Sequence, residues 1–397
     1  MEWYDFAIYG AFSTILARTF FPAGDRAALA ATFAIFAASF IARLIGAAVI
    51  GRRSDHRGRR PALSLTIAMM AIATTAVAIL PPWSAIGALA PVSLLLLRLV
   101  QGFSTGGETP SSVAFVVESA PDGQRGRYGG WHLASTAAGL AGGYGVAALF
   151  SAALSDDALA DWGWRVAFLF AAPLGLVARY IRRRLAETPL FTEVESPRPP
   201  RFFADVLRTR GAGAARGFVV IAAFAMAFNV WFVFLPSHLT ASGLVSLGQA
   251  LAFGVAGLLT IALTAPVAGR LTDRLGRRVM LIGGTLAVAT FAVPGFDLAR
   301  GSVIGLLVSD IVMGALIGSL AVTAFVAELF PTGVRATGVA LTYGVSSAVF
   351  GGTAPLVATL LANAGKAWAV PAALAATALL ALAAAVTARE TAFAPLS

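Results

Sequence analysis

The chain has 397 residues, 58% of them hydrophobic and 12% charged, with a formal net charge of +10 and a mean hydropathy of +0.82. A soluble domain carries about 25% charged residues, so this composition cannot cover a water-facing surface and excludes a soluble globular protein. Apolar runs such as 27–50 and 367–387 continue without in-out alternation, which excludes a lipid-facing barrel and leaves helices to satisfy the backbone in hydrocarbon.

In chain order, the first apolar stretch follows MEWYDF without the basic region or cleavage site of a signal peptide. Hydrophobic length and loop punctuation predict spans at about 3–23, 27–51, 60–80, 88–119, 127–151 and 163–183. A polar interruption at 182–216 then brings eight Arg and the sequence SPRPPR. Spans follow at about 216–241, 245–269, 278–296, 302–329, 335–361 and 367–388. The expected architecture is an all-α membrane protein of twelve transmembrane helices. Its N-terminal six-helix bundle covers 1–183, a cytoplasmic Arg/Pro-rich linker 184–215, and a C-terminal six-helix bundle 216–397.

The halves echo one another. GRRSDHRGRR (51–60) returns as GRLTDRLGRR (269–278), and AFVVESAPDGQR (114–125) returns as AFVAELFPTGVR (324–335) with seven identities in twelve positions. Gly142-Gly143 is likewise matched by Gly351-Gly352. Three echoes in one order indicate a duplicated unit, and an even number of spans gives both copies the same orientation, related by a pseudo-twofold axis.

Basic residues are sorted by side. Of 28 Arg and the single Lys366, 22 fall in alternate loops and the tails, and five (Arg18, Arg26, Arg165, Arg300 and Lys366) fall opposite. The rich side reads as cytoplasmic, with both termini inside. The positive charge therefore reports topology and contact with anionic lipid, not nucleic acid. Cysteine is absent, which removes disulfides and thiolate metal sites. The three His stand apart and form no nucleophile–base or metal-ligand grouping, so the expectation is a protein that is not an enzyme and needs no cofactor.

Two sets of charges remain. At one face the echoes place Asp55, Arg59, Arg60, Glu118 and Arg125 in the first half, and Asp273, Arg277, Arg278, Glu328 and Arg335 in the second. Half-buried ion pairs can favour one of two packings while adding little net stability, which suits a device whose states lie within a few kcal/mol. Gly51 and Gly269 would let backbones approach there.

At membrane depth lie Asp5, Arg43, Arg98, Glu108 and Asp310. Each charge costs about 2.5–3.5 kcal/mol on insertion scales and is a functional candidate by default. At 1.5 Å per residue, Arg43 lies about 12 Å and Glu108 about 15 Å in from the cytoplasmic end. Asp5, Arg43 and Glu108 are expected to share one layer as proton-coupling groups. Arg98 falls about 30 Å from Glu118, out of reach of Asp5. A carboxyl group that loses its arginine to a substrate takes up a proton, a route to coupling without catalysis. Guanidinium offers a rigid fork for carboxylates, so Arg98, with Gln101, Asn229, Trp231, Tyr343 and Tyr9, is a substrate-binding candidate. For Asp310 the structural role leads. His132 is expected to be solvated at a helix end.

The chain resembles the major facilitator superfamily, whose loop between the second and third helices carries G-x-x-x-D-x-x-G-R-R. More narrowly it resembles its metabolite:proton symporter family, which includes citrate, 2-oxoglutarate, shikimate and proline/betaine transporters. The residues that carry the resemblance are EWYDFAIYG (2–10), RLVQGFSTGGE (98–108), AETPLF (186–191), FLPSHL (234–239), AELFPTGVRATG (327–338) and FGGTAPL (350–356). It departs from the pattern in starting at the EWYDF motif, in ending at Ser397 without a coiled-coil extension, and in having Gly344 after Tyr343. The resemblance implies that the face charges form a cytoplasmic gate. It also implies a monomeric carrier of the bacterial inner membrane that imports a small organic acid or related zwitterion with protons by alternating access. The alternatives it leaves open are compatible-solute (proline/betaine) symport and proton-coupled efflux.

Overall fold

The computed structural model describes residues 2–25, 27–57, 59–184, 203–331 and 335–394. Twelve helical segments run in sequence. In the first half these are α1 (Glu2–Ala11, continued by Ser13–Phe20), α2 (Ala28–Arg57), α3 (Arg59–Ile79), α4 (Leu89–Thr105, continued by Glu108–Glu118), α5 (Arg125–Ala153) and α6 (Trp164–Leu169, continued by Ala171–Arg184). In the second they are α7 (Phe203–Asn229, continued by Val230–Phe234 and Leu235–Ala241), α8 (Leu247–Leu275), α9 (Arg277–Gly301), α10 (Val303–Ser319, continued by Val322–Glu328), α11 (Arg335–Ser346, continued by Ser347–Gly352 and Ala354–Asn363) and α12 (Ala369–Val386). Among the described residues nine of these segments are long and apolar enough to cross a membrane by themselves. The others are α1 and α6, each interrupted midway, and α3, whose apolar part is the shorter Leu65–Ile79.

Local chemistry sets the ends. Ser246 and Gln249 form a reciprocal capping box at the start of α8, the Gln249 N–H donating to Ser246 Oγ at 3.2 Å and the Ser246 N–H to Gln249 Oε1 at 3.0 Å. Gly276 ends α8 at φ 99°, a conformation that a side chain rarely adopts, so α9 starts one residue later. Arg165 donates to the Ala78 carbonyl in the last turn of α3 and to the Leu80 carbonyl just past its end, at 2.7 and 2.8 Å, which supplies partners to carbonyls that lack them within the helix.

The packing repeats the sequence echo. One seam between the halves joins α5 to α8, and the other joins α2 to α11. Replacing each helix of the first seam by its equivalent in the other half, six places on for α5 and six places back for α8, gives the second. The contacts of α4 with α11 and of α10 with α5 form a second such pair. The duplicated unit is thus realised as two six-helix bundles related by a pseudo-twofold axis. At the α5–α8 seam a Cβ on Gly269 would fall on the carbonyl of Gly126, and one on Gly130 would fall on that of Ala265. Backbone lies on backbone there, the close approach that small residues allow in lipid.

Candidate functional site

Four helices that meet between the halves, α1, α4, α7 and α10, are all interrupted, and interrupted helices are where transporter sites form. A cavity lies between the bundles. Trp3, Phe6, Phe40, Phe224 and Phe228 make most of its aromatic wall, and Arg43, Asn229 and Tyr343 bring polar groups to it. Arg43 is 8% exposed, its guanidinium 5.3 Å from the Phe40 ring centroid. Asn229 donates from Nδ2 to the Ala225 carbonyl at 2.9 Å, while its Oδ1 is buried with no hydrogen-bond partner among the described residues.

Arg43 donates from Nη2 to Glu2 Oε1 at 2.5 Å and from Nε to Thr105 Oγ1 at 3.1 Å. Glu2 is not among the sequence candidates, because it precedes the apolar run and reads as outside the span. Its place in the EWYDF motif, one turn before Asp5, was the available signal. Arg43 does not snorkel to a surface. A second cavity, inside the first bundle, is lined by Glu2, Thr66, Glu108, Ser112 and His132. His132, expected to be solvated at a helix end, instead faces this chamber. Its Nε2 lies 3.0 Å from Ser112 Oγ, and its side chain lines both cavities.

The expected separation of Asp5 from Arg98 is corrected. Arg98 Nη1 donates to Asp5 Oδ2 at 2.7 Å, and both side chains are at most 3% exposed. Asp5 Oδ1 also accepts from Thr74 Oγ1 at 2.9 Å and Gln101 Nε2 at 2.8 Å, and Gln101 Oε1 accepts from Arg98 Nη1 at 2.8 Å. Helical rise gives Cα heights only, and the side chain extends beyond them. The guanidinium reaches along α4 to the residue three positions on, which covers about 4.5 Å of rise. Tyr9 lies under it, ring centroid 4.0 Å from the guanidinium carbon, with its hydroxyl on the Thr32 carbonyl at 2.9 Å. Arg98, Gln101 and Tyr9 therefore form a closed network inside the first bundle and do not line the cavity. The single layer expected for Asp5, Arg43 and Glu108 resolves into two, with Asp5 bound to Arg98 and Arg43 bound to Glu2.

Trp231 is fully buried against Phe291 and Phe296 in the second bundle, away from the cavity lining. Asp310 is buried on α10, also outside the cavity lining, and its carboxylate has no hydrogen-bond partner among the described residues.

At the arginine-rich face the ion pairs cross between bundles. Arg125 Nη1 donates to Glu328 Oε1 at 3.1 Å, and Arg335 Nη1 donates to Glu118 Oε1 at 2.7 Å. These are the Glu and Arg of the repeated stretch, exchanged. Arg277 donates to both Glu328 oxygens, at 2.9 and 3.1 Å, and to Asp273 Oδ1 at 2.8 Å. Asp273 in turn accepts the N–H groups of Gly126 and Arg127 at 2.8 Å each, an anion on the N-terminus of α5. The side chain of Arg278 is exposed, and those of Asp55, Arg59 and Arg60, like the surroundings of Gly51, lie outside the described residues.

A segment that the sequence left unremarked completes this network. Thr391 Oγ1 donates to Glu328 Oε2 at 2.6 Å, and the Ala394 carbonyl accepts from Arg125 Nη2 at 2.6 Å. Glu390 accepts the N–H groups of Arg277 and Arg278, at 2.9 and 3.1 Å, and those of Thr391 and Ala392. Partial burial pushes its carboxyl up, but the four backbone donors outweigh this and hold it below the usual range. Among the described residues no group of three or more His, Asp or Glu could hold a metal ion.

Comparison with known proteins agrees with this arrangement. The family model described as Major Facilitator Superfamily matches residues 3–263. The proline/betaine transporter of Salmonella typhimurium is 32% identical over 378 residues, covering 91% of this chain and 75% of the relative. The citrate-proton symporter of Klebsiella pneumoniae is 32% identical over 372 residues, covering 91% and 82%. A partially occluded inward-open structure of the xylose transporter of E. coli superposes with a TM-score of 0.76 at 19% identity, covering 98% of this chain and 95% of that one. With interrupted helices around a central cavity, two repeated bundles and these relatives, the chain belongs to the Major Facilitator Superfamily and is an integral membrane transporter.

Proposed function

We propose that the protein imports a small carboxylate-bearing solute, an organic acid or a zwitterion, together with protons, by alternating access between its two bundles. The observation that carries this reading is the central cavity. It is aromatic and apolar, drawn from both halves, and Arg43 is the one arginine in its described lining. An arginine in such a site is matched by a carboxylate, since its planar fork meets two oxygens at once. The unpartnered Asn229 Oδ1 adds an acceptor for a donor on the solute, which favours an amine-bearing zwitterion over a polycarboxylate among the two classes.

A buried carboxylate–arginine pair of the first bundle supplies the proton coupling, with Glu2–Arg43 and Asp5–Arg98 as the two candidate pairs. The crossing pairs at the arginine-rich face act as the gate on the cytoplasmic side, by the charge bias of the loops, and are closed in this conformation. Both termini then lie in the cytoplasm of a bacterium, with the protein a monomer in the inner membrane. Its basic charge meets lipid headgroups and not nucleic acid, and it performs no chemistry on its solute.

Reconstitution into proteoliposomes tests the reading. Radiolabelled proline, glycine betaine, citrate and 2-oxoglutarate are offered with the outside made acidic. Accumulation of at least one of them, abolished by a protonophore, is the expected result. Accumulation only under the reversed gradient would make the protein an exporter. No gradient-driven movement of any of the four would refute the proposal.

A further inference from the structure

We infer that Glu2 carries the coupled proton, and that the Glu2–Arg43 ion pair is a wall through which the central cavity signals to the polar chamber inside the first bundle. This deepens the carrier reading above and rests on its carboxylate site. The geometry is specific to this pair. Arg43 lines the central cavity, whereas Glu2 lines the chamber that also holds Glu108 and His132. Their contact at 2.5 Å joins the two spaces.

The alternative carrier, Asp5, is placed differently. It keeps three donors, from Arg98, Thr74 and Gln101, and neither Asp5 nor Arg98 lines either cavity. A solute in the central cavity has no access to that network. Among the described residues Glu2 forms its ion pair with Arg43, so losing Arg43 removes its counter-charge at once.

The cycle balances. A solute carboxylate enters the central cavity and takes the Arg43 fork. Glu2, released, is left beside Glu108 across the chamber and Asp5 one turn along its own helix, with Tyr343 on the α11 side and His132 on α5. A carboxylate among carboxylates in a confined space takes a proton, here from water in the chamber. One proton is thus bound per carboxylate. When the solute leaves, Arg43 recaptures Glu2 and the proton is expelled.

The test uses the purified full chain in weakly buffered detergent with a pH indicator. It is titrated with acetate, the minimal carboxylate, and with the four solutes above, while Trp3, which lines both spaces, reports binding by fluorescence. Wild type should take up about one proton per bound carboxylate, and its affinity should fall about tenfold per pH unit on the alkaline side, as reciprocal linkage requires. Glu2→Gln should bind at least as tightly, with no proton uptake and an affinity that is flat with pH. Asp5→Asn should keep proton uptake on binding. Uptake retained in Glu2→Gln, or lost in Asp5→Asn alone, would overturn the inference. So would absence of uptake with every carboxylate, even where the liposome assay shows that solutes are carried. Uptake on binding without transport would instead sink the carrier reading and leave the proton site standing.

Discussion

Replacing Arg125 with Gln should open the arginine-rich face, and the size of the effect follows from two bonds. Arg125 reaches across the bundles to Glu328 Oε1 at 3.1 Å and to the Ala394 carbonyl at 2.6 Å. The ion-paired side chains are 9% and 2% exposed, so screening by water is slight. Hydrogen bonds to charged groups are worth about 1.5–3 kcal/mol net of the water they displace. Two at the lower bound give about 3 kcal/mol, or roughly a hundredfold shift between closed and open states. Glu328 keeps Arg277 as a partner, so the variant does not strand a buried charge and should remain folded. The chain contains no cysteine, which makes the assay direct. A single Ser347→Cys in the cavity wall is labelled by an impermeant maleimide added from the arginine-rich side. The labelling rate follows the open population, so Arg125→Gln should raise it about a hundredfold. A cysteine at Ser237, whose hydroxyl meets that of Ser13 at 2.8 Å across the other end of the bundles, should label more slowly from its own side. An unchanged rate at position 347, or equal increases at both positions, would refute the idea that these pairs set the equilibrium.

Gly269→Val should raise the same labelling with every charge intact, because its Cβ cannot coexist with the Gly126 carbonyl; a normal rate would assign closure to the charges alone. Asp5→Leu strands the Arg98 charge at 2% exposure and should cost about 3–5 kcal/mol of stability, whereas Asp5→Leu with Arg98→Met should recover most of it. Unfolding in a denaturing detergent series checks this, and a double variant no better than Asp5→Leu would contradict it. The backbone donors that hold the Glu390 carboxyl below its usual range stabilise the protein above the ordinary carboxylate pKa, and this stability is lost as pH falls through the lower, folded-state value. Glu390→Gln should therefore lower the melting temperature at neutral pH and make no difference in strong acid, as differential scanning fluorimetry would record.

The helices and their duplication were legible because both are carried by long stretches of sequence. Hydrophobic length marks each span whatever its neighbours do, and the repeated GRLTDRLGRR and AFVAELFPTGVR stretches survive any error in helix ends. Side-chain partners were not legible in the same way. Arg98 was put beyond Asp5 because helical rise gives Cα heights, while a guanidinium reaches a further turn to Gln101 and Asp5. Glu2 was passed over because it precedes the apolar run, although Arg43 draws it into the bundle. The acceptors at Glu390 and Ala394 had no motif to mark them, since what they offer Arg277 and Arg125 depends on where the chain returns after α12.

The crossing of the face charges shows where sequence symmetry stops. A twofold relation between Glu118 and Glu328, and between Arg125 and Arg335, permits two arrangements that are equally symmetric. Each Glu can pair with the Arg of its own bundle or with that of the other. The repeat cannot choose, because either choice maps onto itself when the halves are exchanged. Tertiary packing chooses the second, and the choice is what the proposed gate requires. Pairs within a bundle travel with it as a rigid body and keep the same energy in every state. Pairs across the seam must break when the bundles part, so only they contribute a difference between states, and a device that shifts populations works through such differences alone.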